Sequence, residues 1–161
     1  MKVYKILFIL AIVMGCAKQP AGPHFVGNTS AVLAKDGQSV LITWKEAGLR
    51  NTVSIDYEAS AAATATYVCV NNSGRCPNAE NKQTVSGPVT ATVVLSSDQN
   101  GQISGTMVLL APGAGDFACP GGQLMMLSEV HYSDIAIADL TNGITENTEP
   151  DALSAVPFTC P

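Results

Sequence analysis

Charge is scarce in this chain of 161 residues: Asp, Glu, Lys and Arg together make up 13%, and eight basic residues stand against thirteen acidic ones. So few cations argue against nucleic acid as a partner, because that binding depends on contacts to phosphates. They argue equally against electrostatic attachment to anionic lipid. Histidine occurs only as His24 and His131, with no His-Glu-x-x-His pair, and no Gly-x-Ser-x-Gly elbow is present. The cysteines lack paired Cys-x-x-Cys spacing, so no zinc site is expected. Asp98-Gln99-Asn100-Gly101 imitates the start of a calcium loop but lacks its later glutamate, and a plain turn is expected there. No metal or cofactor is anticipated, and no internal repeat or second domain is visible.

A membrane span is missing as well. The N-terminal apolar run, Ile6 to Met14, is far shorter than the ~20 residues that cross a bilayer. It follows Lys2 and Lys5 and ends on Gly15-Cys16, which is the pattern of a secretory signal. Val13-Met14-Gly15-Cys16 resembles the lipobox of bacterial lipoproteins, in which that thiol is acylated and becomes the mature N-terminus. Met14 departs from the small or β-branched residue usual at its position, and an ordinary cleaved signal is the alternative. The expected division is a signal peptide over 1–15, a Pro- and Gly-rich lipid-anchored tether over 16–24, and one domain over 25–161. Cleavage removes Lys2 and Lys5, leaving 8 − 2 = 6 basic residues against 13 acidic ones, a balance of −7. Membrane contact is therefore expected through acyl chains at Cys16. Ala17 is not the aspartate of inner-membrane retention, so outer-membrane placement is expected if the host is Gram-negative.

The remaining sequence reads as strands. Val40, Ile42 and Trp44 share a face. From Val53 to Cys69 every second residue is apolar, whereas Ser54, Asp56, Glu58, Ser60, Thr64 and Thr66 fall on the other side. Such alternation marks a sheet with one buried face. Ala59 to Ala65 is also compatible with helix, but the interleaved threonines favour strand. Val89 to Leu95 and Ile103 to Leu109 read as a hairpin about Asn100-Gly101. Leu124, Met126, Val130 and Tyr132 form a further strand whose phase shifts at Ser133-Asp134, the signature of a β-bulge. Asn142-Gly143 turns again, and Ala155 to Phe158 is a final edge segment. Seven to nine short strands predict an all-β, antiparallel immunoglobulin-like β-sandwich, with a closed barrel as the alternative.

Cys16 aside, four cysteines remain, and an even set in an exported chain points to disulfides. Three connectivities are open, including a local Cys69–Cys76 link with Cys119–Cys160. Tyr67-Val68-Cys69-Val70-Asn71, continuing to Asn81-Lys82, and Phe117-Ala118-Cys119-Pro120-Gly121-Gly122-Gln123 together resemble a family of small secreted β-domain proteins of bacteria and fungi. Their pattern is a Cys-(Val/Ile)-Asn loop leading to Asn-Lys, then Phe-x-Cys-Pro-x-Gly-Gln before a strand that ends near a Tyr and an Asp, here Asp139. The resemblance implies that Cys69 pairs with Cys119, leaving Cys76 for Cys160. It implies no catalytic residues.

Two functions are consistent with this sequence. One is a binding or structural role at the cell envelope, carried by the long, polar loop Asn71 to Lys82, with Asn71, Asn72, Arg75, Asn78 and Lys82 as candidate contacts. Its ligand would be an envelope or extracellular protein or a glycan. Gly113 to Asp116 joins the same end if Cys119 pairs with Cys69. The other is a small hydrolase using Asp56, Glu58, Glu129 and Asp134, which requires those carboxylates to converge. His131 is expected on a strand surface, and Met107, Met125 and Met126 as core filling. No catalytic activity is the favoured expectation.

Overall fold

The computed structural model describes residues 22–76 and 81–161. Nine strands follow one another without a helix among the described residues: β1 (His24–Phe25), β2 (Ser30–Leu33), β3 (Val40–Ala47), β4 (Ser54–Asn71), β5 (Lys82–Ser96), β6 (Ile103–Leu109), β7 (Gln123–Asp139), β8 (Ile144–Asn147) and β9 (Leu153–Ala155). In one sheet β3 is central, with β1 and β2 along one edge and β6 along the other. In the second, β5, β4 and β7 lie side by side, and β8 and β9 share the far edge of β7. All of these ladders are antiparallel. Two separate sheets face each other, so the fold is an immunoglobulin-like sandwich and not a closed barrel.

The alternation read in the sequence builds the core between the sheets. Val40, Ile42 and Trp44 point inward from β3, opposite Ile55, Tyr57, Ala59, Ala61 and Ala63 of β4. The alanine stretch is strand, held on both sides by ladders to β5 and β7. Trp44 packs on Tyr57, with ring centroids 5.0 Å apart. Its indole lies across Gly105, the residue paired with it on β6, where an added Cβ would stand 2.2 Å from the ring. Only glycine leaves room for the indole there.

Strand β7 carries two bulges. The ladder to β4 slips between Ser60 and Ala62, where Asp134 adopts φ +53, and again between Thr66 and Tyr67, where Ser128 is the extra residue. The first is the phase shift expected at Ser133-Asp134. Each bulge absorbs one residue, so the buried series runs Leu127, then Val130 and Tyr132, then Ile135, Ile137 and Asp139.

Several expectations are corrected. The turn at Asn100-Gly101 is present, with the Asp98 carboxylate accepting from the amides of Asn100 and Gln102 at 2.8 and 2.9 Å. Its flanking strands do not form a hairpin, because β5 pairs with β4 and β6 pairs with β3, so the turn crosses between sheets. Gly101 is pressed against the Leu49 carbonyl of the β3–β4 connection, where a Cβ would come within 2.1 Å. That approach, which local sequence does not announce, sends the chain across. His24, assigned to the tether, belongs to β1 and pairs with Ala47. The last strand is Leu153–Ala155, and Pro157 lies beyond it. Met107 is buried as expected, but Met125 is 46% exposed, because its inward face lies beyond the second sheet, and Met126 39%, because it lies on the outer face opposite Val68.

The two sheets differ in length. At 3.3 Å per residue, the eight residues of β3 span about 26 Å and the eighteen of β4 about 59 Å. Among the described residues, the upper half of the β5–β4–β7 sheet therefore has no strand opposite it. Two irregular segments cover it instead. Residues 110–122 lie over its inner face, where the Tyr67 hydroxyl donates to the Pro112 carbonyl at 2.7 Å. The tail after β9 crosses the outer face, where Thr66, Val68 and Val70 are buried. A disulfide fixes each cover: Cys69–Cys119, with Cα atoms 5.5 Å apart, holds the inner one, and Cys76–Cys160, at 5.7 Å, holds the outer one. This is the pairing that the family resemblance implied.

Candidate functional site

The upper end of the long sheet gathers most of the residues expected to form a site. Asn71, the last residue of β4, uses its side-chain oxygen to accept from the amides of Ser73 and Arg75, both at 3.0 Å. Its own amide donates to the Arg75 carbonyl. Asn71 therefore shapes the turn through its side-chain oxygen and backbone amide. Asn72 and Arg75 are exposed on that turn, and Lys82 is exposed at the start of β5, opposite Val68. Asn78 and Cys16 lie outside the described residues. Asn81 reaches Gln123 at 3.4 Å, joining the turn to the start of β7.

Beside these residues runs a groove of about 600 Å³ between the outer face of the sheet and the tail. Val68, Val156 and Phe158 give it an apolar floor and wall, Lys82, Ser128 and Glu129 a polar margin, and the Cys76–Cys160 bridge closes one side. Next to it the first residues of β7 are bare: Leu124 is 68% exposed, and Val156 across the groove 65%. Sequence reasoning found the loop and missed the groove. The tail that forms it is brought there by a disulfide 84 residues apart, which no local pattern reveals. Gly113, Gly115 and Asp116 are exposed on the inner cover of the same end.

The carboxylates of the hydrolase reading do not converge. Asp56 and Glu58 lie on the outward side of β4, whereas Glu129 is opposite Thr66, eight residues further on and about 26 Å away along the strand. Asp134 sits at the bulge between them, beside Ser133. One carboxylate, Glu129, lines the groove. Among the described residues no group of three or more His, Cys, Asp or Glu side chains is placed to hold a metal. Asp98 spends its oxygens on its own turn, which holds its carboxyl below the usual range. His131 is exposed and shares a hydrogen bond with Ser154 at 2.7 Å.

A second polar cluster, unforeseen in the sequence, is buried at the base. Glu46 continues the inward series Val40, Ile42, Trp44 and is fully enclosed. The Tyr57 hydroxyl donates to one of its oxygens at 2.5 Å. Its other oxygen and the Trp44 indole nitrogen have no partner. Asp139, also buried, accepts from the amide and side-chain nitrogens of Asn142 at 2.8 and 2.5 Å. Burial raises Glu46 to about 7; the Tyr57 hydrogen bond opposes that shift and the neighbouring Asp139 adds to it. The available signal was the alternation itself, which puts a glutamate on the face of a tryptophan. Closed on all sides, this cluster is not reachable by a substrate.

No family model matches this chain, and no curated protein does. Among solved structures, the sporulation control protein Spo0M from Bacillus subtilis is similar over 83% of this chain and 49% of that one, at 14% identity and a TM-score of 0.27. This chain thus spans about half the length of that protein. A likeness at this level carries no functional argument.

Proposed function

We propose that the protein is an exported, lipid-anchored binding module of the cell envelope, held to the membrane through Cys16 and without catalytic activity of its own. Two disulfides fit an oxidising, extracytoplasmic environment, since such bridges are rare in the cytosol. In a Gram-negative host the anchor sits in the outer membrane, and the module belongs with the small secreted β-domain proteins its cysteine segments resemble. The observation that carries this reading is the separation of the two ends. Strand β1, which follows the tether, pairs with Ala47 at the base, beside the Glu46–Tyr57 cluster. Asn72, Arg75, Lys82 and the groove lie beyond the other end of β4. Tyr57 to Asn71 is fourteen residues, about 46 Å along the strand. An anchor at the base therefore holds the exposed turn and groove away from the bilayer, where a protein or glycan of the envelope can reach them. Recognition on connections held by a rigid scaffold is the usual use of such a fold.

Two measurements on intact cells test the reading. Cys16→Ser is expected to move the protein from the membrane to the soluble fraction, and retention of that variant in the membrane overturns the anchor. A photo-crosslinking residue at Arg75 is expected to capture a discrete envelope component that the same residue at Leu140, on the basal β7–β8 turn, does not. Equal capture at both positions overturns the assignment of the recognition end.

A further inference from the structure

Among the described residues, the upper part of the β7 edge of the long sheet has no partner strand. On the side of β7 away from β4, β9 pairs with Val130, His131 and Tyr132, and β8 pairs with residues from Ala136 to Asp139. Among the described residues nothing pairs with Gln123–Glu129 on that side. The tail, which would extend β9 along this edge, leaves it after Ala155 and crosses toward Cys76. Unpaired edges are templates for another chain, and proteins blunt them with charge, proline or cover. The free edge of β5 shows that protection: Pro88 interrupts it, Lys82 begins it, and Thr84, Ser86, Thr90 and Thr92 face outward. The stretch Gln123 to Ser128 has no proline and no charge, and Leu124, Met125 and Met126 are exposed on its two faces.

We propose that this edge, Leu124 to Ser128, docks an extended segment of a partner protein as an added strand. Its main chain would pair with the edge, and its alternate apolar side chains would lie on Leu124 and Met126 and reach the groove beside Phe158. The inference rests on reading this end as the recognition end and names the class of its ligand. Strand addition supplies affinity through main-chain hydrogen bonds and specificity through side-chain pockets; the edge provides the first and the adjoining groove the second. The added segment continues a row that β8 and β9 already occupy lower on the same strand.

A second copy of this chain is a poorer occupant. Antiparallel pairing of two such edges about Met125 sets the two β4 strands in opposite directions. Met125 is opposite Cys69, twelve residues from Tyr57, so the two bases would stand about 80 Å apart. Such a pair meets along only about five residues a side, roughly 17 Å of strand, too little contact to bury the ~1,200 Å² or more of a stable interface.

The test uses the full-length protein in detergent and a random library of twelve-residue peptides. Enrichment of peptides that alternate apolar and polar residues is expected. The best of them should slow amide hydrogen exchange at 124–128 and bind at least tenfold more weakly when N-methylated at alternate positions. Met126→Lys should weaken binding tenfold or more with an unchanged circular dichroism spectrum, and Leu140→Lys should leave it unchanged. The proposal is overturned if no peptide is enriched, if bound peptides leave exchange at 124–128 unaltered, or if N-methylation changes affinity less than twofold. It is also overturned if the protein self-associates and Met126→Lys abolishes that, because the edge is then occupied by its own copy. A component captured at Arg75 in cells whose capture ignores Met126→Lys leaves the recognition end standing while strand addition falls.

Discussion

The lower and upper halves of the β5–β4–β7 sheet are made of the same three strands, yet they are stabilised by different means. Below, the inner face meets a second sheet, and Ile42, Trp44, Tyr57 and Ile137 interlock in a side-chain core, while the outer face is polar and wet. Above, both faces need cover, and the chain supplies irregular segments too short to hold themselves by packing. Covalent bridges do that work: one cystine fixes residues 110–122 inside, the other fixes the tail outside. A sheet can thus outgrow its partner sheet provided that each exposed face receives its own clamp. The clamped half carries the groove of about 600 Å³ beside the tail and the uncharged edge of β7, while a cleft of about 490 Å³ lies at the base between Leu49, Val53 and Thr141.

The largest expected effect separates the halves most directly. Cys69→Ala with Cys119→Ala removes a link across 50 residues, worth about 4 kcal/mol in the chain-entropy description. In mild denaturant, amide exchange should quicken first at 66–71 and 124–127 and later at 40–44. Simultaneous loss of protection in both regions would show a single cooperative unit and dissolve the contrast.

Next in size is the buried acid of the lower half. Glu46 is raised from 4.5 to about 7 in the folded protein, so the native state holds a proton that the unfolded chain releases. Stability contributed in this way is complete below pH 4.5 and is lost as pH rises through 7, a change on the order of 3 kcal/mol. Urea unfolding between pH 5 and pH 8 should show that decline, and Glu46→Gln should flatten it and be the more stable protein at pH 8. A parallel decline in the variant would assign the effect to another group.

The smallest expected effect tests a single contact of the upper cover. Tyr67→Phe removes the hydrogen bond to the Pro112 carbonyl and should cost about 1 kcal/mol. Its exchange signature should stay confined to residues 110–122, and a spread to the Trp44 region would join the halves energetically.

The contrast also explains what was legible in the sequence. Where one face is buried and the other wet, alternation is clean, and Val40 to Trp44 and Val53 to Ala65 read correctly as strand. The bulge at Ser133-Asp134 was visible because an extra residue breaks that alternation. Strands β1 and β2 are too short to show a period, and their edge pairing with β3 is a tertiary matter. The hairpin was misread because a turn's chemistry fixes the reversal and not the partners of the strands leaving it. In the upper half the pattern misleads: Leu124 and Met126 resemble core residues, but the cover that decides their exposure comes from a distant cystine. Of the candidate loop, the exposure of Asn72, Arg75 and Lys82 was legible from polarity, the part Asn71 plays in the turn was not, and the groove and bare edge were out of reach of local reasoning.

The bulges of β7 separate two properties that a strand normally ties together, its length and the direction its side chains face. Loss of one residue from a regular strand reverses every position beyond it. Loss of Asp134 would instead restore a regular ladder, with Tyr132 and Val130 still turned inward beside Ile135. The same holds for Ser128 with respect to Leu127. Strand β7 therefore has two places where an evolutionary deletion straightens the sheet and leaves its interior intact, and a lineage that shortened this strand would be expected to have done so there.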